Sequence, residues 1–234
     1  MAVSAPTAAP RSARRRVRRP DQLTGGRHGL TAEEVRASQR ERIVTAMTAA
    51  VGEHGYHGVR VADVVWRAGV SRKTFYELYA GKDDCFRAAY GTWIDRLSKT
   101  MFDAFDTQTE WVDQLRAALT ALLGRLAREP AAARLCFSEV IAAGGDTQLR
   151  RDQAIAIVAA RLFTAPGMPD GALGETMRAG RVSELGETLR REIAAGRTEQ
   201  LPTLVPELMC AMVLPFLGMD AAQRELDRGT VLAR

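Results

Sequence analysis

The chain has 234 residues, 46% of them apolar, which is enough for one or two domains with a real core. Its formal charge is +5, yet residues 1–40 hold nine arginines against three acids, so the other 194 residues carry one net negative charge. The basicity belongs to a tail and one local patch, not to the whole surface.

Ala, Leu, Arg and Glu dominate, and β-branched residues do not alternate with polar ones, so the chain reads as all-α. Cys85, Cys136 and Cys210 each sit among apolar residues at helical spacing. An odd, sparse set of this kind suits small core residues in a reducing cytosol, not a disulfide scaffold. The longest apolar run, "LMCAMVLPFLGM" at 208–219, contains Pro215 and falls short of the roughly 18 residues a membrane span needs. The arginines near the N-terminus have no apolar stretch behind them, unlike a signal peptide. A cytoplasmic protein with no membrane contact is expected.

Residues 1–30 are rich in Ala, Pro, Arg, Gly and Ser without periodicity, and a disordered arm is expected. "RSARRRVRRP" at 11–20 packs six arginines into ten residues. It is either a solvating tail or an arm adding phosphate contacts beside a folded DNA-binding domain. A first helix is predicted over 32–53, opened by the capping-box pair Thr31 and Glu34 and striped by Ile43, Ala46, Met47, Ala50 and Val51. Gly52, Gly55 and Gly58 are expected to end it. A second helix is predicted at 61–68, with Val61, Val64, Val65 and Ala68 on one face. Gly69 tolerates positive φ, and Ser71 caps a third helix over 72–79. A long fourth helix is predicted over 82–105, with Asp83 and Asp84 at its positive end. Further helices are predicted near 110–128, 131–143, 147–164, 172–195, 202–218 and 220–228.

Two short helices joined by a glycine turn make a helix-turn-helix, in which the second helix enters the major groove of DNA. With Phe75 and Leu78 turned inward, Lys73, Tyr76 and Glu77 point outward and Arg72 lies on the flank. Lys and Arg match the guanine acceptors of the major groove, and Tyr76 offers a hydroxyl and an apolar ring. Ser71, Thr74, Tyr79 and Lys82 are placed where phosphates would pass. Arg60 opens the second helix, whose N–H groups and cation would face the backbone.

Residues 39–90, and above all "GYHGVRVADVVWRAGVSRKTFYELYAGKDDCF" at 55–86, resemble the TetR family of bacterial transcriptional regulators. The residues that carry the resemblance are Gly55–Tyr56, Val61-Ala62-Asp63-Val64, Ala68-Gly69-Val70-Ser71, Thr74-Phe75-Tyr76, Tyr79 and Lys82-Asp83. Two positions depart from the family pattern. Arg60 stands where a Ser or Thr cap is usual, and Lys73 stands where glycine is common. A weaker resemblance continues at 129–145 and 201–218.

The resemblance implies an N-terminal three-helix DNA-binding domain at 31–81 and a helical effector-binding and dimerisation domain at 82–234. It implies a homodimer paired through the last two long helices, with Val182, Leu185, Leu189 and Ile193 contributing from one and Leu204, Leu208, Met212 and Phe216 from the other. It implies a small-molecule effector inside the C-terminal helices that shifts the fourth helix and releases a palindromic operator, so a repressor is the expected sign. Trp93, Phe102, Phe105, Trp111, Leu123, Phe137 and Met177 are candidate lining for a largely hydrophobic ligand. Glu139 either orients such a ligand, pairs with Arg134 or Arg161, or faces solvent.

Two rival readings stand beside this one. An enzyme would need more than His28, His54 and His57, which lack partners at zinc-ligand spacing, and no G-x-S-x-G, phosphate loop or Rossmann fingerprint is present. Neither catalysis nor a cofactor or metal is expected. A sequence-neutral architectural protein would use the arginine arm and bind with affinity set by salt.

Overall fold

The computed structural model describes residues 31–165 and 167–232; the arginine-rich arm and His28 lie outside the described residues. Every element among them is helical: α1 (Ala32–Gly58), α2 (Val61–Ala68), α3 (Arg72–Leu78), α4 (Lys82–Phe105), α5 (Trp111–Arg128), α6 (Pro130–Ala133), a π-helical turn (Arg134–Ser138), α7 (Val140–Ala143), α8 (Gly145–Leu162), α9 (Gly171–Ala194), a 3-10 segment (Thr198–Leu204) and α10 (Val205–Leu232).

The start of α1 follows its sequence signal, with the Thr31 side chain accepting from Glu34 N–H and Glu34 accepting from Thr31 N–H. The end differs from the expected 53. The helix passes through Gly52, bends at Gly55 (φ 68°, ψ 166°) and makes a further turn to Gly58. Gly52 is therefore not a terminator. A Cβ built there would lie 2.6 Å from the Ala131 Cβ, so its bare Cα lets α6 close on α1.

Buried residues from α1 to α10 form one continuous core. Trp93 on α4 ties that helix to α1, its indole N–H donating to Thr48 Oγ1 at 2.9 Å. Trp111 on α5 donates to the Leu162 carbonyl at 2.8 Å and meets Phe216 edge-on. Arg116 on α5 donates through Nε and Nη2 to the buried Glu225 carboxylate of α10.

The single helix expected at 131–143 is interrupted by the π turn, and the helices expected at 202–218 and 220–228 are one element bent at Gly218 (φ 75°). Hydropathy alone registers neither feature. The expected shortness of the apolar run is also corrected. Thr198–Arg228 holds an 18-residue window of mean hydropathy 1.6, of which 28% is buried.

Candidate nucleic-acid interface and effector cavity

Arg60 precedes α2 in extended backbone, and its N–H donates to the Asp63 carboxylate at 3.2 Å. This is the reciprocal half of a capping box; the N–H groups that a Ser or Thr side chain would cap find no acceptor in the Arg60 side chain, whose guanidinium is left exposed. At the other end Gly69 adopts the left-handed region (φ 64°, ψ 28°), and Val70 N–H reaches back to the Val65 carbonyl. The turn buries Val70 and delivers Ser71, which caps α3 by accepting from Thr74 N–H at 2.9 Å.

On α3 Phe75 is fully buried, while Arg72, Lys73, Tyr76 and Glu77 are exposed. Lys73 is 86% exposed and paired only loosely with Glu77, at 3.8 Å. Tyr76 is 57% exposed and leans edge-on against Phe75. A seven-residue helix thus presents two cations and an aromatic hydroxyl outward from a buried anchor, which is the chemistry that reads base edges and phosphates. Half-buried Thr74 shares its hydroxyl with Ser71 at 2.9 Å.

Two residues expected at the phosphates, Tyr79 and Lys82, make contacts within the protein. Tyr79 is buried, its ring packed on Phe75, and its remaining exposure opens on a groove shared with Arg40, Glu41 and Arg96. Burial pushes its pKa up to about 12. Lys82 is engaged with α1, its Nζ donating to the Tyr56 carbonyl at 3.2 Å and lying 4.4 Å from the centre of the Tyr56 ring. The Tyr56 hydroxyl donates to Asp83 at 2.6 Å. Its pKa is pushed up to about 12, first by burial and then by that carboxylate.

A cavity of about 100 Å³ opens between α4, the π turn, α8 and α9. Ile94, Leu97 and Met101 of α4, Phe137, and Ile155 and Val158 of α8 form apolar walls. Ser183, Glu187, Arg190 and Arg151 supply its polar edge. Arg190 is held by both Glu187 oxygens, whereas the ion pair of Arg151 among the described residues is a 3.9 Å approach to its neighbour Asp152, with Glu187 also in electrostatic reach.

Of the expected lining, Phe137 is on the wall. Trp93 and Leu123 are core, Phe105 is core beneath Arg161, and Trp111 packs on Phe216. Phe102 borders a separate surface groove, and half-buried Met177 is not on the wall. Glu139 takes the pairing option, with Arg134 Nε donating to it at 3.1 Å; Arg161 pairs with Asp106 instead.

The stripe expected at the dimer interface has places within the protomer. Val182, Leu185 and Leu189 line the cavity, and Ile193, Leu208 and Met212 are buried inside the protomer. Leu204 and Phe216 are half-buried against the core. Helical spacing identifies a face that is covered, not what covers it. Among the described side chains, the large exposed apolar residues of α10 are Leu214, Leu217 and Met219. Aromatic residues were poor markers for the cavity, whose wall is aliphatic and includes Gly186.

Residues 43–89 match the family described as bacterial regulatory proteins, tetR family. That match spans the helix-turn-helix and the start of α4. A curated relative, the HTH-type transcriptional activator FasR of Mycolicibacterium smegmatis, is 27% identical over 102 residues, covering 44% of this chain and 47% of that protein. The match thus spans about half the length of the relative. Among solved structures, the fatty acid degradation regulator FadR of Bacillus halodurans aligns over 77% of this chain and 97% of its own, with TM-score 0.67 and 16% identity. FadR of Bacillus subtilis, solved in complex with stearoyl-CoA, aligns over 76% and 98%, with TM-score 0.63 and 15% identity. The TetR-type fold extends through the helices that enclose the cavity.

Proposed function

We propose that the chain is a cytoplasmic, non-catalytic, homodimeric transcriptional regulator. It reads a palindromic operator through α3 and releases it when an amphiphilic ligand enters the cavity. The observation that carries this reading is the outward face of α3, with Arg72, Lys73 and Tyr76 exposed around buried Phe75 in a TetR-family domain. The domains are read as 31–81 and 82–234, with residues 82–89 of α4 inside the family match.

The exposed apolar face of α10, at Leu214, Leu217 and Met219, supports pairing of two copies. Two recognition helices then address half-sites about one helical turn, roughly 34 Å, apart or somewhat more. Apolar walls with Arg151 at the edge suit an acyl chain carrying an anionic head. Stearoyl-CoA, found in the Bacillus subtilis relative, is a ligand of that class.

A cavity of about 100 Å³ holds only part of such a chain, so binding has to separate α8 and α9 from α4. The pairs Arg87–Asp146, Arg150–Asp95 and Arg161–Asp106 tie α8 to α4, and α4 begins at Lys82 beneath the helix-turn-helix. Displacing α8 therefore pulls on α4. Repression is the expected sign, although one dimer can repress or activate according to where its operator lies relative to the promoter.

The test is retention of fragmented DNA from the source genome, sequenced with and without stearoyl-CoA. A few enriched loci, lost on adding the thioester, are expected. Retention of all fragments alike, at any ligand concentration, contradicts the reading.

A further inference from the structure

The backbone between α6 and α7 is wound with one residue too many. In the π turn Arg134–Ser138 the Glu139 N–H reaches back five residues to the Arg134 carbonyl, at 3.0 Å. Such turns often mark functional positions in helices. Ser138 carries the cost, because its hydroxyl is buried with no partner among the described residues. Thr48, Thr92, Thr100 and Thr176 all donate to the carbonyl four residues back. In an α-helical register that acceptor for Ser138 is the Arg134 carbonyl, which takes the Glu139 N–H here and is not reached by the Ser138 hydroxyl. The turn thus has an α-helical alternative that satisfies a group the π form leaves bare.

One side of this turn touches the cavity and the other grips the first helix. Cys136 and Phe137 line the cavity. Arg134 Nη1 donates to the Gly52 carbonyl at 3.0 Å, and Glu139 Oε2 accepts from Tyr56 N–H at 2.8 Å across the Gly55 bend. Arg134 and Glu139 also bond to each other, so the grip is one unit. Tyr56 in turn holds Asp83 and Lys82 at the start of α4 and packs edge-on against Phe86.

We infer that the π turn is a register switch coupling the cavity to the recognition helix, with Arg134 and Glu139 as its positioning residues. The latched π form is the operator-binding state. A ligand pressing on Phe137 drives the turn to the α register, which rotates Glu139 by about 100° about the helix axis and withdraws it from Tyr56 N–H. This path enters α1 directly and is separate from the pull of α8 on α4. It rests on the reading of α3 as a DNA-binding helix, and it deepens that reading by naming the regulation.

Gly186 provides a test that needs no ligand. It lines the cavity, and a Cβ added there meets no atom within 4 Å, so Gly186→Leu fills the space a ligand takes. In the full chain, Gly186→Leu is expected to speed amide exchange at Tyr56 and to weaken binding of a selected operator duplex by about tenfold. Glu139→Ala alone should do the same, and adding Gly186→Leu to it should change either readout by less than about twofold. Arg134→Gln replaces Glu139→Ala in the cycle should the latter fold poorly. Equal losses of operator affinity from Gly186→Leu in both backgrounds, or unchanged Tyr56 exchange, overturn the inference. Tyr56 exchange is measured without DNA, so it decides the switch even where no operator is found and the DNA reading itself has failed.

Discussion

Lys73 and Tyr76 stand out from α3 on either side of a buried Phe75, so substitutions there are felt by DNA and hardly by the fold. Lys73→Ala should relax base preference at one operator position, at a cost of about 1–3 kcal/mol on the best sequence, measured by competition between single-base variants. Tyr79 lies on the other side of that boundary. Tyr79→Ala should cost about 3–5 kcal/mol of stability in urea unfolding, whereas Tyr76→Ala should stay within about 0.5 kcal/mol. The recognition helix was legible because Gly69, Ser71 and Phe75 each leave one conformational option. Tyr79 was misplaced because an aromatic beside basic residues reads the same whether its ring faces inward or outward. The bond from Lys82 to Tyr56 was not legible because its partner is 26 residues earlier.

The same side chains set an alkaline limit. Burial raises the pKa of Tyr56, Tyr79 and Cys85 to about 12, and pushes Tyr90 and Cys136 up as well. In the unfolded chain these groups lose their protons from about pH 9–10. Their contribution to stability is complete below that range and is lost progressively as pH rises towards the folded values. The urea midpoint should therefore fall between pH 9 and 11; a flat profile would contradict the burial of these groups.

The contact between α1 and α6 depends on one missing methyl group. Gly52→Ala would set two Cβ atoms 2.6 Å apart, so the helices have to separate. A loss of about 1–3 kcal/mol in chemical unfolding is expected, despite alanine's better helix propensity. No sequence pattern announces this contact, because Ala131 is 79 positions away and glycine in a helix more often signals an end. The long helices were legible within a few residues because their apolar stripes keep one period. The π turn was not, since an extra residue shifts the stripe by one position without breaking it. Cavity and interface were confused for a related reason. Val182, Leu185 and Leu189 form an apolar stripe that faces α4 and α8 across a small void within the protomer.

At the scale of the whole molecule, the outer face of α10 is one of the exposed apolar surfaces among the described residues, and the one proposed above for pairing two copies. Replacing both Leu214 and Leu217 with Glu should leave the protomer folded, because neither is buried in it. The pair should convert a dimer to a monomer in sedimentation, and operator affinity should fall with it, because one recognition helix cannot hold two half-sites. Cys210, half-buried on the same helix, should be alkylated faster in that variant, while Cys85 and Cys136 stay unreactive inside the core.

The most direct measurement is selection of bound duplexes from a random DNA pool at near-physiological salt, run in parallel for the native chain and Lys73→Ala. A palindromic consensus with half-sites about one turn apart, losing definition at one position in each half for the variant, is the predicted result. Strong binding that depends on salt but yields no consensus would contradict the account and favour a sequence-neutral architectural protein.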